Sequence, residues 1–287
     1  MLGRSAKFRA TPLADMAPAA VNWRHWFLLA VAIGACVFAL STERIAQDPR
    51  YHAFADQDSR FGIPNGLNVL SNVPFLLVGL FGLARAAAWQ RRSQRRAFVV
   101  FSIGVAAIAA GSAYYHWRPS TDTLVWDRLP ITVAFMALFC AVIEDRVSAA
   151  LGRRLLLPAV CAGLLAVVYW YVTELRGVGD LRLYAVVQFL PMLLLPIVLL
   201  LFRAGALRSD PLWGALGLYG LAKVAEHFDG QILAATADLS GHALKHLLAA
   251  VAVLVGLYAV PYSSSRSPSS GNGPERVRPR ACGNSQK

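Results

Sequence analysis

Charge is scarce in this sequence. Asp, Glu, Lys and Arg make up 15% of its 287 residues, against about 25% in a typical soluble domain. That scarcity argues against a soluble fold of one or two domains, which the length alone would allow. Cysteine is also sparse. Cys36, Cys140, Cys161 and Cys282 form no C-x-x-C pair, so neither a thiolate metal site nor a dithiol redox motif is indicated. Three of them lie in apolar runs and read as small buried hydrophobes. No internal repeat is visible, although many transporter folds carry one. The first apolar run, 21–40, leads into Leu40-Ser41-Thr42-Glu43. It lacks the small-residue cleavage pattern of a signal peptide and reads as an uncleaved helix.

What is present is apolar length. Hydrophobic residues make up 56% of the chain and the mean hydropathy is +0.48. Runs close to the 20 residues needed to cross a bilayer recur at about 21–40, 64–88, 98–117, 127–142, 155–173, 183–202, 211–225 and 239–260. Pro64 suits a helix start. Pro191 and Pro196 lie inside the sixth run, where neighbouring helices can absorb a kink. The expected fold is therefore all-α, a polytopic membrane helix bundle. A segment at 1–20 precedes the first span, 21–42. The tail, 262–287, is rich in Ser, Pro, Gly and Arg and cannot bury enough apolar surface to fold.

The net charge is +12, but the basic residues flank apolar runs rather than forming a surface that could read nucleic acid. With eight spans, one side of the membrane collects 19 Lys and Arg and the other 7. The positive-inside rule then puts both termini in the cytoplasm. His116, Asp127, His242 and His246 fall at helix ends on the opposite side, at similar depth.

Those residues have suggestive spacings. Ser112 and His116 are four apart and share a helix face, as do His242 and His246 in GHALKH. Two imidazoles on one face are the usual way a helix offers a pair of ligands to zinc, and three histidines leave a fourth position open, as catalytic sites do. Zinc lowers the pKa of water to about 7. A carboxylate such as Asp127 can move the proton, and a serine such as Ser112 can donate to an oxyanion. Each residue has a plainer reading: a packed histidine, an N-cap aspartate or a small residue at a helix contact. The combination at one depth favours a metal site, because polar groups inside the bilayer are expensive. Lys223, Glu226, His227 and Asp229 cluster at the end of the seventh run. Glu226 and Asp229 are candidates to hold the second nitrogen of a histidine, or to pair with Lys223 or Lys245.

The pattern resembles the alkaline ceramidase family and the wider superfamily of seven-span hydrolases and receptors that includes adiponectin and progestin receptors. Ser112 with His116, Asp127 in WDRLP, His242 and His246 in GHALKH, and NVLSN at Asn68–Asn72 carry the resemblance. It implies a seven-span core, here 56–261, with the first span an addition. It implies zinc held by His116, His242 and His246, Asp127 as proton shuttle and Ser112 as an oxyanion or positioning group. The implied reaction is hydrolysis of ceramide or a related N-acyl lipid to a fatty acid and a free amine. Leu193–Leu195 are candidate walls for the lipid chain. The family's acidic calcium loop corresponds to ADQDSRFGIPN, which offers only Asp56, Asp58 and Asn65; a solvated loop is the competing reading. Alanine- and arginine-rich composition suggests a bacterial inner membrane, with the site towards the periplasm. The competing functional reading is a lipid receptor or binding protein that keeps the metal as a clamp.

Overall fold

A computed structural model describes residues 21–89 and 93–260. The terminal segments 1–20 and 262–287, including Cys282, lie outside the described residues, as do Arg91 and Arg92. The described chain forms α1 (Trp23–Ser41), α2 (Gly66–Leu70), α3 (Val73–Ala88), α4 (Arg95–Trp117), α5 (Thr121–Arg146), α6 (Ala149–Leu175), α7 (Arg182–Leu201), α8 (Ser209–His227), α9 (Asp229–Thr236) and α10 (Gly241–Leu257). The bundle is all-α and polytopic. Six helical units are long and apolar enough to cross a membrane, with α2 and α3 counted together. A seventh arises if α9 and α10, bent by 101°, make one span. The helix at the seventh expected span, α8, is 19 residues long and carries Asp210, Lys223 and Glu226, charges that take it below the apolar standard of the others.

Helix ends follow capping more closely than hydropathy. Ser120 and Thr123 cap α5 reciprocally, so α5 begins six residues before Asp127, which lies in its second turn. Ser148 accepts from the Leu151 N–H and starts α6 well before the apolar run at 155. Neither helix waits for the long apolar run, because satisfying the free N–H groups sets the start.

The helices α7, α5, α4, α3, α10 and α8 form a ring in that order. The ring is nearly open between α7 and α8, which meet along little of their length. Outside it, α6 packs on α5 and α7, and α1 leans on α7. Only Leu28 of α1 is buried, while Trp26, Phe27, Ile33, Val37 and Phe38 are exposed, as expected of a helix facing lipid.

The α4–α5 seam places two of the candidate residues side by side. Pro130 has no N–H, so the Trp126 carbonyl one turn earlier loses its helical donor. Gly111 of α4 lies against that carbonyl and the Pro130 ring, and a Cβ there would overlap it. Seven residues earlier, Gly104 lies against the Ala134 backbone. This close approach brings Ser112 and Asp127 to the wall of one interior cavity.

Residues 42–65 cross one end of the ring as a strap. The Ile45 carbonyl accepts from Leu181 N at 2.8 Å, and Glu174 accepts from Gln47 N at 2.7 Å. Arg128 stacks over Trp170 at 4.0 Å and Tyr184 at 4.5 Å and donates to Gln47 Oε1 at 2.7 Å.

Candidate metal centre

His116 lies in the last turn of α4, whereas His242 and His246 lie in the first two turns of α10. All three are buried, with exposures of 1%, 6% and 5%. Their ring centroids form a nearly equilateral triangle with sides of 4.8, 4.8 and 4.9 Å. One nitrogen from each falls within 4.8 Å of the others. His116 Nε2 and His242 Nε2 are 3.3 Å apart. Two nitrogens at zinc bond lengths of 2.0–2.1 Å in a tetrahedron would be about 3.3 Å apart, so this edge already has the spacing of a ligand pair. The donor set therefore fits a metal ion.

His246 is oriented from outside the triad. Ser71 Oγ lies 2.8 Å from His246 Nδ1 and donates to the Asn68 carbonyl at 3.1 Å. With the single hydroxyl hydrogen on the Asn68 carbonyl, Nδ1–H of His246 is the donor to Ser71. Nε2 then keeps its lone pair for a metal. Phe54 of the strap covers the triad, with its ring 4.7 Å from that of His116 and 4.6 Å from that of His242.

The elbow between α8 and α10 sets His242. Asp229 Oδ1 accepts the His242 N–H at 2.7 Å, and Oδ2 accepts the Ala55 N–H at 3.0 Å. Gly241 fits against the Ala225 carbonyl and the Asp229 backbone, where a side chain would collide. Asp229 thus fixes the start of α10 rather than a histidine ring. Glu226 does not reach a ring either. It accepts from Lys223 at 2.6 Å and Lys245 at 2.8 Å. Neither carboxylate takes the second nitrogen of a histidine: Glu226 takes the alternative role, pairing with Lys223 and Lys245, and Ser71 partners His246 Nδ1 instead. His116 Nδ1 is buried without a partner.

A cavity of about 190 Å³ opens beside the triad and is reached by His246, Ser112 and Asp127. One end is polar, with Tyr51, Tyr184, Gln188, Tyr219, Lys223, Glu226 and Lys245. The other is apolar and follows single helix faces downward: Phe101, Val105 and Ile108 on α4, and Ile131, Leu138 and Val142 on α5. From Asp127 to Val142 this wall is roughly 22 Å long at 1.5 Å per residue. Of the expected Leu193–Leu195 wall, only Leu195 lines the cavity. Leu193 is 46% exposed and Leu194 is buried elsewhere.

The strap acids behave differently from a calcium loop. Asp56 is buried; its Oδ1 accepts from Asp58 N at 3.0 Å and its Oδ2 has no partner. The Asp58 side chain is 79% exposed, 4.0 Å from Arg60. Asn65 donates its amide to the His116 carbonyl at 2.8 Å. That is one buried free carboxylate oxygen, where calcium takes six to eight oxygen ligands.

Residues 63–203 match the family model described as Ceramidase. The chain belongs to the ceramidase family. This stretch includes Ser112, His116 and Asp127 and starts after α1; His242 and His246 lie beyond it. No curated protein and no solved structure matches the chain significantly. Ceramidase membership implies a hydrolase acting on amide bonds and a lipid substrate such as ceramide.

Proposed function

We propose that this chain is an integral-membrane, zinc-dependent amidase that hydrolyses ceramide or a related N-acyl lipid to a fatty acid and a free amine. The observation that carries this reading is a buried, nearly equilateral histidine triad opening through His246 onto a cavity that also holds Asp127 and Ser112. A metal clamp in a lipid-binding protein would need the three ligands alone. The carboxylate and hydroxyl on the same wall favour chemistry.

His116, His242 and His246 would hold the ion, with Ser71 keeping His246 Nε2 available. Zinc there would supply a Lewis acid that activates water and polarises the amide carbonyl. The apolar walls of α4, α5, α7 and α10 take the acyl chain and set the amide carbon beside Asp127. Asp127 accepts the proton of the attacking water and returns it to the departing nitrogen, so the C–N bond breaks as an amine leaves. Ser112 donates its O–H to the carbonyl oxygen as that oxygen gains charge. The lipid enters sideways through the seam where α7 and α8 hardly touch.

The catalytic core is 56–261, with α1 as an addition that supports α7. Both termini face the cytoplasm of a bacterial cell and the triad lies towards the periplasm, a reading supported by the distribution of Lys and Arg. The test is fatty-acid release from ceramide in detergent micelles. Asp127→Asn is expected to lower kcat by about 10²–10⁴-fold, the usual contribution of a positioned acid–base group. Release by Asp127→Asn at the wild-type rate would refute the assignment.

A further inference from the structure

The apolar end of the cavity runs deep and then stops. Its deepest lining residues are Val142 on α5, Leu199 on α7, Leu212 on α8 and Gly256 on α10. Each lies within four residues of the helix end opposite the triad. Beyond them the α7–α8 loop, 202–208, turns across the bundle. Phe202 and Leu207 are buried there, as is Val260 after α10, in the same apolar cluster as Val142, Leu199 and Leu212. A buried ion pair fastens this loop. Asp145 Oδ1 accepts from Ala206 N at 2.7 Å and Leu207 N at 3.2 Å, and Oδ2 accepts from Gly205 N at 3.2 Å. Arg146 lies 3.0 Å from Asp145 and donates to the Leu207 carbonyl at 2.9 Å. Arg208 N donates to the Ala259 carbonyl at 2.8 Å, which ties the loop to the end of α10. A buried ion pair is costly unless its remaining hydrogen bonds are filled; filling them here pins a floor under the cavity.

A floor at fixed depth converts to a chain length. At 1.5 Å per helical residue, the depth is roughly 15 Å from His246 to Gly256 and roughly 22 Å from Asp127 to Val142. An extended saturated chain advances about 1.25 Å per carbon, the projection of a 1.5 Å bond at a near-tetrahedral angle. The methyl end therefore meets the floor at roughly 12–18 carbons from the amide. Lipid tails are as apolar as the leucines of the wall, so an added methylene gains little while it fits. One that does not fit must bend the chain or force the packing apart.

We propose that the cavity is a closed ruler for the acyl chain. It accepts N-acyl lipids with saturated chains up to the hexadecanoyl class and rejects very long ones, and the residues of α10 that face it set the limit. This rests on the amidase reading for the position of the amide. Gly256 lines the deepest part, and Ala252 lines it one turn nearer the triad. A Cβ on Gly256 would meet only the Ala215 Cβ, at 3.5 Å, so a larger side chain there has room to start and extends into the cavity.

The test uses purified full-length protein and four ceramides that share one sphingoid base and carry octanoyl, dodecanoyl, hexadecanoyl or tetracosanoyl chains. In the wild type, kcat/KM for the tetracosanoyl lipid is expected to fall about fivefold or more below that for the hexadecanoyl lipid, the effect of overpacking a fitted cavity. Gly256→Leu should raise the dodecanoyl-to-hexadecanoyl ratio by a similar factor. Ala252→Leu raises the floor by roughly five carbons more and should raise the octanoyl-to-dodecanoyl ratio. Equal use of hexadecanoyl and tetracosanoyl lipids by the wild type overturns the proposal. So does a loss in both variants that is the same for every chain length, which would be general loosening. If one variant does not fold, the ratio in the other decides. Thermal shift of the detergent-purified protein by the same ceramides gives a readout without turnover. Hydrolysis of none of them would sink the amidase reading. A shift that drops between hexadecanoyl and tetracosanoyl, and drops at shorter chains in Ala252→Leu, would then still support the ruler, and shifts blind to chain length overturn it.

Discussion

Replacing Ser71 by alanine is expected to weaken metal binding without touching a ligand. The hydroxyl is buried, donates to the Asn68 carbonyl at 3.1 Å and accepts from His246 Nδ1 at 2.8 Å. Its loss frees the imidazole to rotate or to place its proton on Nε2, where it blocks the metal. An orphaned buried donor costs about 1–3 kcal/mol. Outer partners of metal-binding histidines typically account for about 10–100-fold in affinity, or about 1.4–2.7 kcal/mol, so the two magnitudes agree. The assay is zinc competition against a chelator of known affinity on the purified protein. Ser102→Ala is the control: it removes a buried hydroxyl bonded to the Phe98 carbonyl at 2.8 Å in α4, far from any histidine. Affinity of Ser71→Ala within twofold of wild type would refute the reasoning. Equal weakening by Ser102→Ala would assign the effect to general loosening.

Two further outcomes follow from the packing. Gly111→Ala places a methyl group on the Trp126 carbonyl and should push α4 from α5, costing about 1–3 kcal/mol as overpacking does. The expected readout is a lowered Tm in detergent together with reduced turnover, and an unchanged Tm would contradict the seam. Asp180, at the loop before α7, has its pKa lowered to about 2, chiefly by its hydrogen-bonded pairing with Arg182. Its folded value lies below the unfolded value of about 3.9, so its stabilisation is present above pH 4 and is lost as the pH falls towards 2. The advantage of wild type over Asp180→Asn should be on the order of 1–2 kcal/mol near neutral pH and vanish near pH 2. A difference in Tm that does not change with pH would contradict this.

The membrane bundle was legible because apolar runs of bilayer length leave few alternatives. The histidine triad was legible for a local reason: His242 and His246 are one turn apart, and His116 lies in the last turn of the helix before the one that carries WDRLP. What escaped the sequence was long-range. Ser71 and His246 are 175 positions apart, and nothing near either marks the pair. The elbow was missed because α9 is short and its exit uses Ala237 at φ 65°, a left-handed position that usually signals itself with glycine. The pairing of Glu226 with Lys223 and Lys245 was among the alternatives legible in the sequence, whereas the partners of Asp229 depended on that elbow. The cavity walls were partly misread for a related reason. Leu193, Leu194 and Leu195 look alike in a run, and only helix rotation decides that Leu195 faces inward.

The most direct measurement pairs metal content with product release on one purified sample. Zinc would be quantified per chain, and fatty acid released from ceramide and other N-acyl lipids would be followed by mass spectrometry. One zinc per chain is predicted, with release that stops on chelation, returns with added zinc and is absent in His246→Ala. Release that continues in His246→Ala or in the metal-free protein would contradict a metal amidase. Zinc bound at one per chain with no release from any lipid amide would contradict the hydrolase and favour a lipid-binding protein.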